Sequence, residues 1–395
     1  MSVLAARVSR FGTTVFSEFS ALAVQHGAVN LGQGFPDFDG PDAVKEAAQR
    51  AIRDGVNQYA LSAGARDLRQ AIAEHAQRFY GQGVDPDTMV TVTSGATEAI
   101  LATLLGLVNP GDEVVVFEPV YDSYDASIAF AGGVARHVPL HPPDAQHATW
   151  WFDEAEVRAA FGPRTRLLVL NTPHNPTGKV FTRAELELLA GLCEERGAYV
   201  LADEVYEHLV FAPARHLRAA TLPQLRERTV TVSSAGKSFS FTGWKIGWAI
   251  APPALRDAVQ RAHQFITFAV PSPLQAAVAV ALRLPDAYFR DLTALYTDKR
   301  ARMLGALGEA GLTAHAPEGS YFAMADIRGR GFADDVAFCR HLVTQVGVAA
   351  IPPSVFYSPE HRALGQGFAR FAFCKTEAVL DEARRRLVRG LARTG

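Results

Sequence analysis

Short apolar runs alternate with amphipathic stretches along most of this chain. The runs at 89–93, 113–118, 166–171, 199–203, 229–233 and 246–251 consist mostly of Val, Leu, Ile and Ala with few alternating polar positions, the pattern of strands covered on both faces. Between them the spacing becomes helical. A helix is predicted over 96–108 after the first run and another over 183–196 before the run at 199, with Thr182 and Glu185 spaced as a capping box. Strand–helix–strand alternation predicts an α/β domain over 41–285, with a mostly parallel sheet flanked by helices. Past Pro285 the texture changes. A long helical stretch at 287–310 leads to shorter strands at 321–326, 348–351 and 369–374, then to a charged helix over 376–392. This predicts a smaller α+β domain over 286–395, joined by an N-terminal arm, 1–40, that folds back onto it.

Composition narrows the function classes. At 395 residues, with 48% hydrophobic and 20% charged positions, the chain can bury a large core without disulfides or metals to staple it. Lys and Arg number 39 against 41 Asp and Glu, a balance without the basic footprint of a nucleic-acid or anionic-membrane binder. The cysteines, Cys193, Cys339 and Cys374, are odd in number and share no CxxC spacing, so neither a disulfide framework nor a zinc site is expected. No stretch approaches the ~18 apolar residues of a membrane span. Arg7 and Arg10, with no acid before Glu18, match the composition of a transit peptide, but the residues that follow read as working protein, and a cytoplasmic location is expected. No metal is expected. His137, His141 and His147 lack an HExxH or carboxylate-spaced partner, and Glu204, Glu207 and His208 are expected to point in different directions.

Ligands of open α/β sheets bind beyond the carboxyl ends of the strands. Here those ends carry polar groups of complementary kinds. The run at 89–93 opens into Ser94-Gly95-Ala96-Thr97-Glu98 at a helix start, where free N–H groups and the dipole suit a phosphate, although an ordinary short cap looks the same. Ser234 and Lys245 add a hydroxyl and a cation suited to that phosphate. Lys237 follows a glycine and, taken alone, reads as a solvated side chain. Asp203 directly follows Tyr199-Val200-Leu201-Ala202, where an unpaired carboxylate is costly; it either caps the next turn or faces a cationic ring nitrogen, with Tyr206 one short turn on. A lysine nucleophile, a phosphate cradle, a carboxylate for a pyridinium and an aromatic cap are together the requirements of pyridoxal 5'-phosphate.

The residues that complete this picture are Asn30-Leu31-Gly32-Gln33-Gly34-Phe35-Pro36-Asp37-Phe38, Asn57-Gln58-Tyr59, the turn at 171–178, Asp203-Glu204-Val205-Tyr206, the segment 233–247 and Ala369-Arg370-Phe371. On these the sequence resembles the fold-type I, class I/II pyridoxal-phosphate aminotransferases over essentially its whole length. Gly34-Phe35-Pro36-Asp37-Phe38 and Phe241-Thr242-Gly243-Trp244-Lys245-Ile246-Gly247-Trp248 point to the branch of bacterial methionine aminotransferase and kynurenine (glutamine) aminotransferase.

The resemblance implies a homodimer with shared active sites that moves the amino group of an L-amino acid to a 2-oxo acid in a ping-pong cycle. It implies that Lys237 holds the cofactor covalently and moves the proton, and that Asp203 pairs with the ring nitrogen. Asn175 and Tyr206 would bond the phenolic oxygen, and Tyr121 would stack on the ring. Ala96, Thr97, Ser234 and Lys245 would hold the phosphate, with Tyr59 reaching it from the partner subunit. Arg370 would bind the substrate carboxylate with Asn175 and the backbone of Gly34, and Phe16 and Phe268 would line the side-chain pocket. Many family members carry Arg at the position of Lys245; a lysine is a point charge, so retention of the phosphate would rest more on Ser234, Thr97 and the helix end. An uncharged pocket favours methionine, glutamine, aromatic amino acids or kynurenine as donor. The alternative within the cofactor class is a cysteine-S-conjugate beta-lyase. A transcriptional regulator with such a domain would need an added basic winged-helix segment, and only about 30 residues precede Leu31, fewer than a folded domain needs.

Overall fold

The computed structural model describes residues 3–9 and 11–392; Arg10, one of the two N-terminal arginines noted above, lies outside the described residues. After a helix at Val15–Gln25, the arm forms β1 (Val29–Asn30). Seven strands follow: β2 (Val90–Ser94), β3 (Glu113–Glu118), β4 (Val134–Pro139), β5 (Thr165–Asn171), β6 (Tyr199–Asp203), β7 (Thr229–Ser234) and β8 (Ile246–Ile250). They build one sheet in the order β2-β8-β7-β6-β5-β3-β4. Only β8 runs antiparallel to its neighbours, so the sheet is mostly parallel, as the sequence predicts.

The near-continuous apolar runs now have a cause. Successive residues of a strand face opposite sides of the sheet. Val114 and Val116 pack with Ala99, Ile100 and Leu104 of the helix Gly95–Leu107, whereas Val115 and Phe117 pack with Leu186 and Leu189 of the helix Arg183–Arg196. That second helix starts with the predicted capping box between Thr182 and Glu185. Strand β4 is absent from the sequence reading because it is an edge strand: Val134 and Arg136 are exposed and His137 pairs with Asp125, so it lacks the apolar run that marks its neighbours.

The second part of the chain starts with the helix Asp286–Glu309, which packs on the C-terminal helix Glu377–Leu391. Strands β9 (Thr313–Ala314) and β10 (Phe322–Asp326), together with β12 (Phe368–Ala372), form an antiparallel sheet in the order β12-β10-β9. The strand expected over 348–351 shortens to β11 (Val348–Ala349) and pairs in parallel with β1 instead. Pro352 and Pro353 supply no N–H donors to extend it, and Ile351 makes only a bridge to Arg370. No described helix is long and apolar enough to cross a membrane.

Candidate active site

The carboxyl ends of β5, β6 and β7, with the helix start after β2, surround a cavity of about 280 Å³. At its floor Gly95 has a positive φ of 70° and opens the helix, which leaves the N–H groups of its first turn without intrahelical partners. A Cβ on Gly247 would stand 2.5 Å from the Gly95 carbonyl carbon and 2.7 Å from the Ala96 nitrogen, so β8 and the helix start meet backbone to backbone. Lys245, with φ of 54°, lays its amine 3.5 Å from Thr97 Oγ1. The carboxylate of Glu98 accepts the N–H of Ser94 and bonds His263 Nδ1 at 2.7 Å, which pins this turn from behind.

Asp203 closes β6 at the opposite wall. Its Oδ2 accepts the hydroxyl of Tyr124 at 2.7 Å and its Oδ1 the N–H of Val205 at 3.3 Å. Burial pushes its carboxyl up to about 6, against the two hydrogen bonds and the nearby Lys237. Asn171 clamps the adjacent strand ends: its Nδ2 donates to the Asp203 carbonyl at 3.0 Å and its Oδ1 accepts the Asn175 N–H at 2.7 Å. Lys237 projects from the short helix Ala235–Ser238; its Nζ donates to Tyr321 Oη at 3.0 Å and approaches the Gly34 carbonyl at 3.4 Å. Burial lowers the pKa of this amine, with Lys245 and Arg370 acting in the same direction. Such a shift is what a lysine that must act as a neutral base requires.

Arg370 lies on β12 beside this cavity. Its Nη2 donates to the Gly32 carbonyl at 2.7 Å and its Nη1 to Asn175 Oδ1 at 3.2 Å, while Nε is buried with no partner. The guanidinium sits 4.9 Å from the Phe16 ring and 4.3 Å from that of Phe322, and burial pushes its pKa down to about 10. Among the described residues it forms no ion pair. A buried guanidinium with an orphaned donor is suited to an incoming carboxylate.

Of the residues singled out from the sequence, Gly34, Ala96, Thr97, Tyr121, Asn175, Asp203, Tyr206, Ser234, Lys237 and Lys245 line the one cavity. Phe16 and Arg370 stand together next to it. Tyr59 and Phe268 do not line it. Their rings meet edge to face at 5.4 Å on the surface, where they are 82% and 50% exposed. His174 is buried and bonds Thr177 Oγ1 at 2.9 Å within its own turn. Sequence reasoning missed Tyr124, Asn171 and Tyr321. Tyr124 sits one helical turn after Tyr121, and Asn171 four residues before Asn175, spacings that carry a signal; Tyr321 is far away in sequence and carries none.

One expectation fails. Glu204, Glu207 and His208 do not diverge. Glu204 and Glu207, three residues apart on the turn after β6, both reach the buried Arg218, and Glu207 also accepts the hydroxyl of Ser233 at 2.7 Å. His208 Nε2 lies 2.8 Å from His75 Nε2, and these two rings with Glu207 bring their ligating atoms within 4.8 Å of one another. The guanidinium of Arg218 supplies the positive charge at Glu207, and burial pushes His75 down to about 3 and His208 to about 4, so both rings are neutral. Asp203 and Tyr206 thus face the cavity while Glu204 and Glu207 anchor the same turn from behind. Replacing Arg218 by Met leaves two buried carboxylates uncompensated, and chemical denaturation should show a loss of ~3–5 kcal/mol. An unchanged denaturation midpoint would contradict this role.

The donor set fits pyridoxal phosphate on the structure's own terms. Asp203 is a buried carboxylate without a cation bonded to it, Gly95 and Gly247 form a cradle that side chains would fill, and a half-buried lysine faces both. Comparison with known proteins agrees. The family model "Aminotransferase class I and II" matches residues 27–387. The chain is 47% identical to the probable N-succinyldiaminopimelate aminotransferase DapC of Mycobacterium tuberculosis, over 96% of this chain and 97% of that protein. It is 42% identical to the methionine aminotransferase of Escherichia coli, again over 96% and 97%. The solved structure of the Mycobacterium tuberculosis N-succinyldiaminopimelate aminotransferase superposes with a TM-score of 0.94 at 47% identity, covering 98% of this chain and 99% of that one. With this cavity at the carboxyl edge of its sheet, the chain belongs to the class I and II aminotransferases, enzymes of the pyridoxal-phosphate-dependent fold-type I class.

Proposed function

We propose that this aminotransferase works through Lys237 and Asp203, takes donors with uncharged side chains, and does so as a homodimer. One observation carries the reading: Lys237, Asp203 and the helix start at Gly95 line a single cavity, so amine, carboxylate and phosphate cradle can serve one ligand. When bound, pyridoxal phosphate supplies an electron-withdrawing ring that stabilises negative charge at the substrate Cα. Asp203 keeps a proton on the ring nitrogen, since a carboxylate in a dry site favours a facing cation. The N–H groups of Ala96 and Thr97, with Ser234 and Lys245, take the phosphate. Asn175 and Tyr206 orient the ring oxygen, and Tyr121 covers the ring face. Arg370 binds the substrate carboxylate through its free Nε, which fixes Cα within reach of the Lys237 amine, and that amine removes and returns the proton.

The donor assignment is supported by the aromatic surroundings of Arg370, where Phe16 and Phe356 stack at 5.5 Å. The described cations that line the cavity are Lys237 and Lys245, each with a role already given, which leaves none for a distal carboxylate. Methionine, glutamine, aromatic amino acids and kynurenine are therefore the expected donors. A second reading, N-succinyldiaminopimelate, is favoured by the 47% identity to the Mycobacterium relative. A spectroscopic half-reaction screen with all of these donors decides between them: the uncharged set should convert the bound cofactor fastest, and a preference for the succinylated diacid would overturn the assignment.

Dimerisation is supported by exposed apolar side chains in the two segments that carry Tyr59 and Phe268. Besides Tyr59 and Phe268, Leu61 is 70% and Phe265 87% exposed. Phe268 also has a φ of 69°, costly for a bulky side chain and characteristic of functional positions. Tyr59 and Phe268 are proposed to complete the partner's site. In mixed dimers of Lys237→Ala with Tyr59→Phe, one site per dimer should recover both wild-type residues and with them wild-type cofactor affinity. Absence of recovery in verified heterodimers would count against sharing. The three free, buried cysteines support a reducing, cytoplasmic setting.

A further inference from the structure

Lys237 is held at a definite place in the cavity. Its Nζ donates to the hydroxyl of Tyr321 at 3.0 Å, and that hydroxyl in turn donates to the Gly34 carbonyl at 2.5 Å. Tyr321 is fully buried; its ring stacks on Tyr296 at 5.9 Å and stands edge-on to Tyr206 at 5.1 Å. A phenol buried this deeply needs a partner for its hydrogen. Because the Gly34 carbonyl is that partner, the oxygen lone pairs are turned towards the lysine, and the phenol accepts from the amine. A phenylalanine would fill the same volume but leave the amine only its longer, 3.4 Å approach to Gly34.

We propose that Tyr321 is a positioning residue for Lys237: its hydroxyl, oriented by Gly34, holds the ε-amine on the Gly34 side of the cavity whenever that amine is not bonded to the cofactor. This rests on the reading of Lys237 as the cofactor lysine. A lysine side chain is flexible, and one that must let go of a ligand, carry a proton and return to it gains from a fixed resting point. The segment that carries Gly34 also presents the Gly32 carbonyl to Arg370 at 2.7 Å, so the amine is held beside the group that binds the substrate carboxylate.

The test uses Tyr321→Phe, which keeps the ring packing. The chain has only six lysines, so the Lys237 amine can be followed by NMR in enzyme loaded with pyridoxamine phosphate, the form in which this amine is unattached. An accepting hydroxyl favours the charged amine, so its removal should lower the Lys237 pKa by about one unit. It should lower kcat about tenfold, with KM and cofactor affinity within about twofold of wild type. A merely structural tyrosine would leave the lysine titration unmoved, and that result overturns the proposal. Borohydride reduction and peptide mapping of the same proteins reloaded with pyridoxal phosphate check the underlying reading separately: an adduct on Lys237 with an unmoved titration removes the role of Tyr321 alone, and an adduct elsewhere removes both. If the variant does not fold, a crystal structure of the wild-type pyridoxamine-phosphate form decides. The Lys237 amine within hydrogen-bonding distance of Tyr321 Oη supports the proposal, and an amine turned elsewhere overturns it.

Discussion

Lys237→Ala should yield a folded protein without the visible band of a lysine-bound cofactor, whose turnover is lower by at least ~10⁵-fold, the scale on which removal of a central nucleophile acts. Its stability should not fall. Burial already disfavours the charged amine, Tyr321 keeps its hydrogen bond to the Gly34 carbonyl, and alanine suits the short helix Ala235–Ser238. Absorption spectroscopy after incubation with pyridoxal phosphate, together with a melting curve, checks both halves. A variant that keeps the visible band of a lysine-bound cofactor would contradict the assignment of Lys237. A variant that loses activity by unfolding would show a lowered melting temperature instead.

Asp203→Asn should separate stability from activity. On the proposed reading the Asp203 carboxylate would hold the ring proton; an amide offers no charge, and the variant should lose ~10³-fold in kcat, in line with the 2–5 kcal/mol cost of truncating a buried charged pair. Protein stripped of cofactor should move the other way. Burial raises the Asp203 carboxyl from 3.8 to about 6. A carboxyl whose folded pKa exceeds its unfolded value stabilises the fold below the unfolded value and loses that contribution as pH rises through the folded one. Stripped wild-type protein should therefore lose ~3 kcal/mol relative to the asparagine variant between about pH 4 and 7. Denaturation of both proteins at several pH values measures the difference. A gap that does not change over this range would show that the Asp203 carboxyl is not raised in the stripped protein and is ionised there, contrary to this account.

Much of the architecture was legible because the central strands are covered on both faces. Val114 and Val115 are both apolar since each faces a helix, and such runs stand out from any single sequence. Edge strand β4 was not legible for the opposite reason, its outer positions being polar and solvated. The residues that line the cavity were legible where they end a strand, as do Asp203 and Ser234, or follow one directly, as does the turn at Gly95, because the end of an apolar run marks their place. Arg370 and Lys237 needed the family resemblance. Tyr321 was invisible: it reaches Lys237 through a fold that brings the two chain segments together, and nothing around Tyr321 in the sequence announces that contact. The expectation about Glu204, Glu207 and His208 failed because it considered the turn alone. The partners that make these side chains converge, Arg218 and His75, come from other elements.

The central claim is that one lysine among six, Lys237, bears the cofactor opposite Asp203. Borohydride reduction of the pyridoxal-phosphate-loaded enzyme, followed by digestion and mass spectrometry, tests it most directly. The expected result is a single pyridoxyl adduct on the peptide that contains Lys237. An adduct on Lys245 or any other lysine, or no adduct at all, would contradict it.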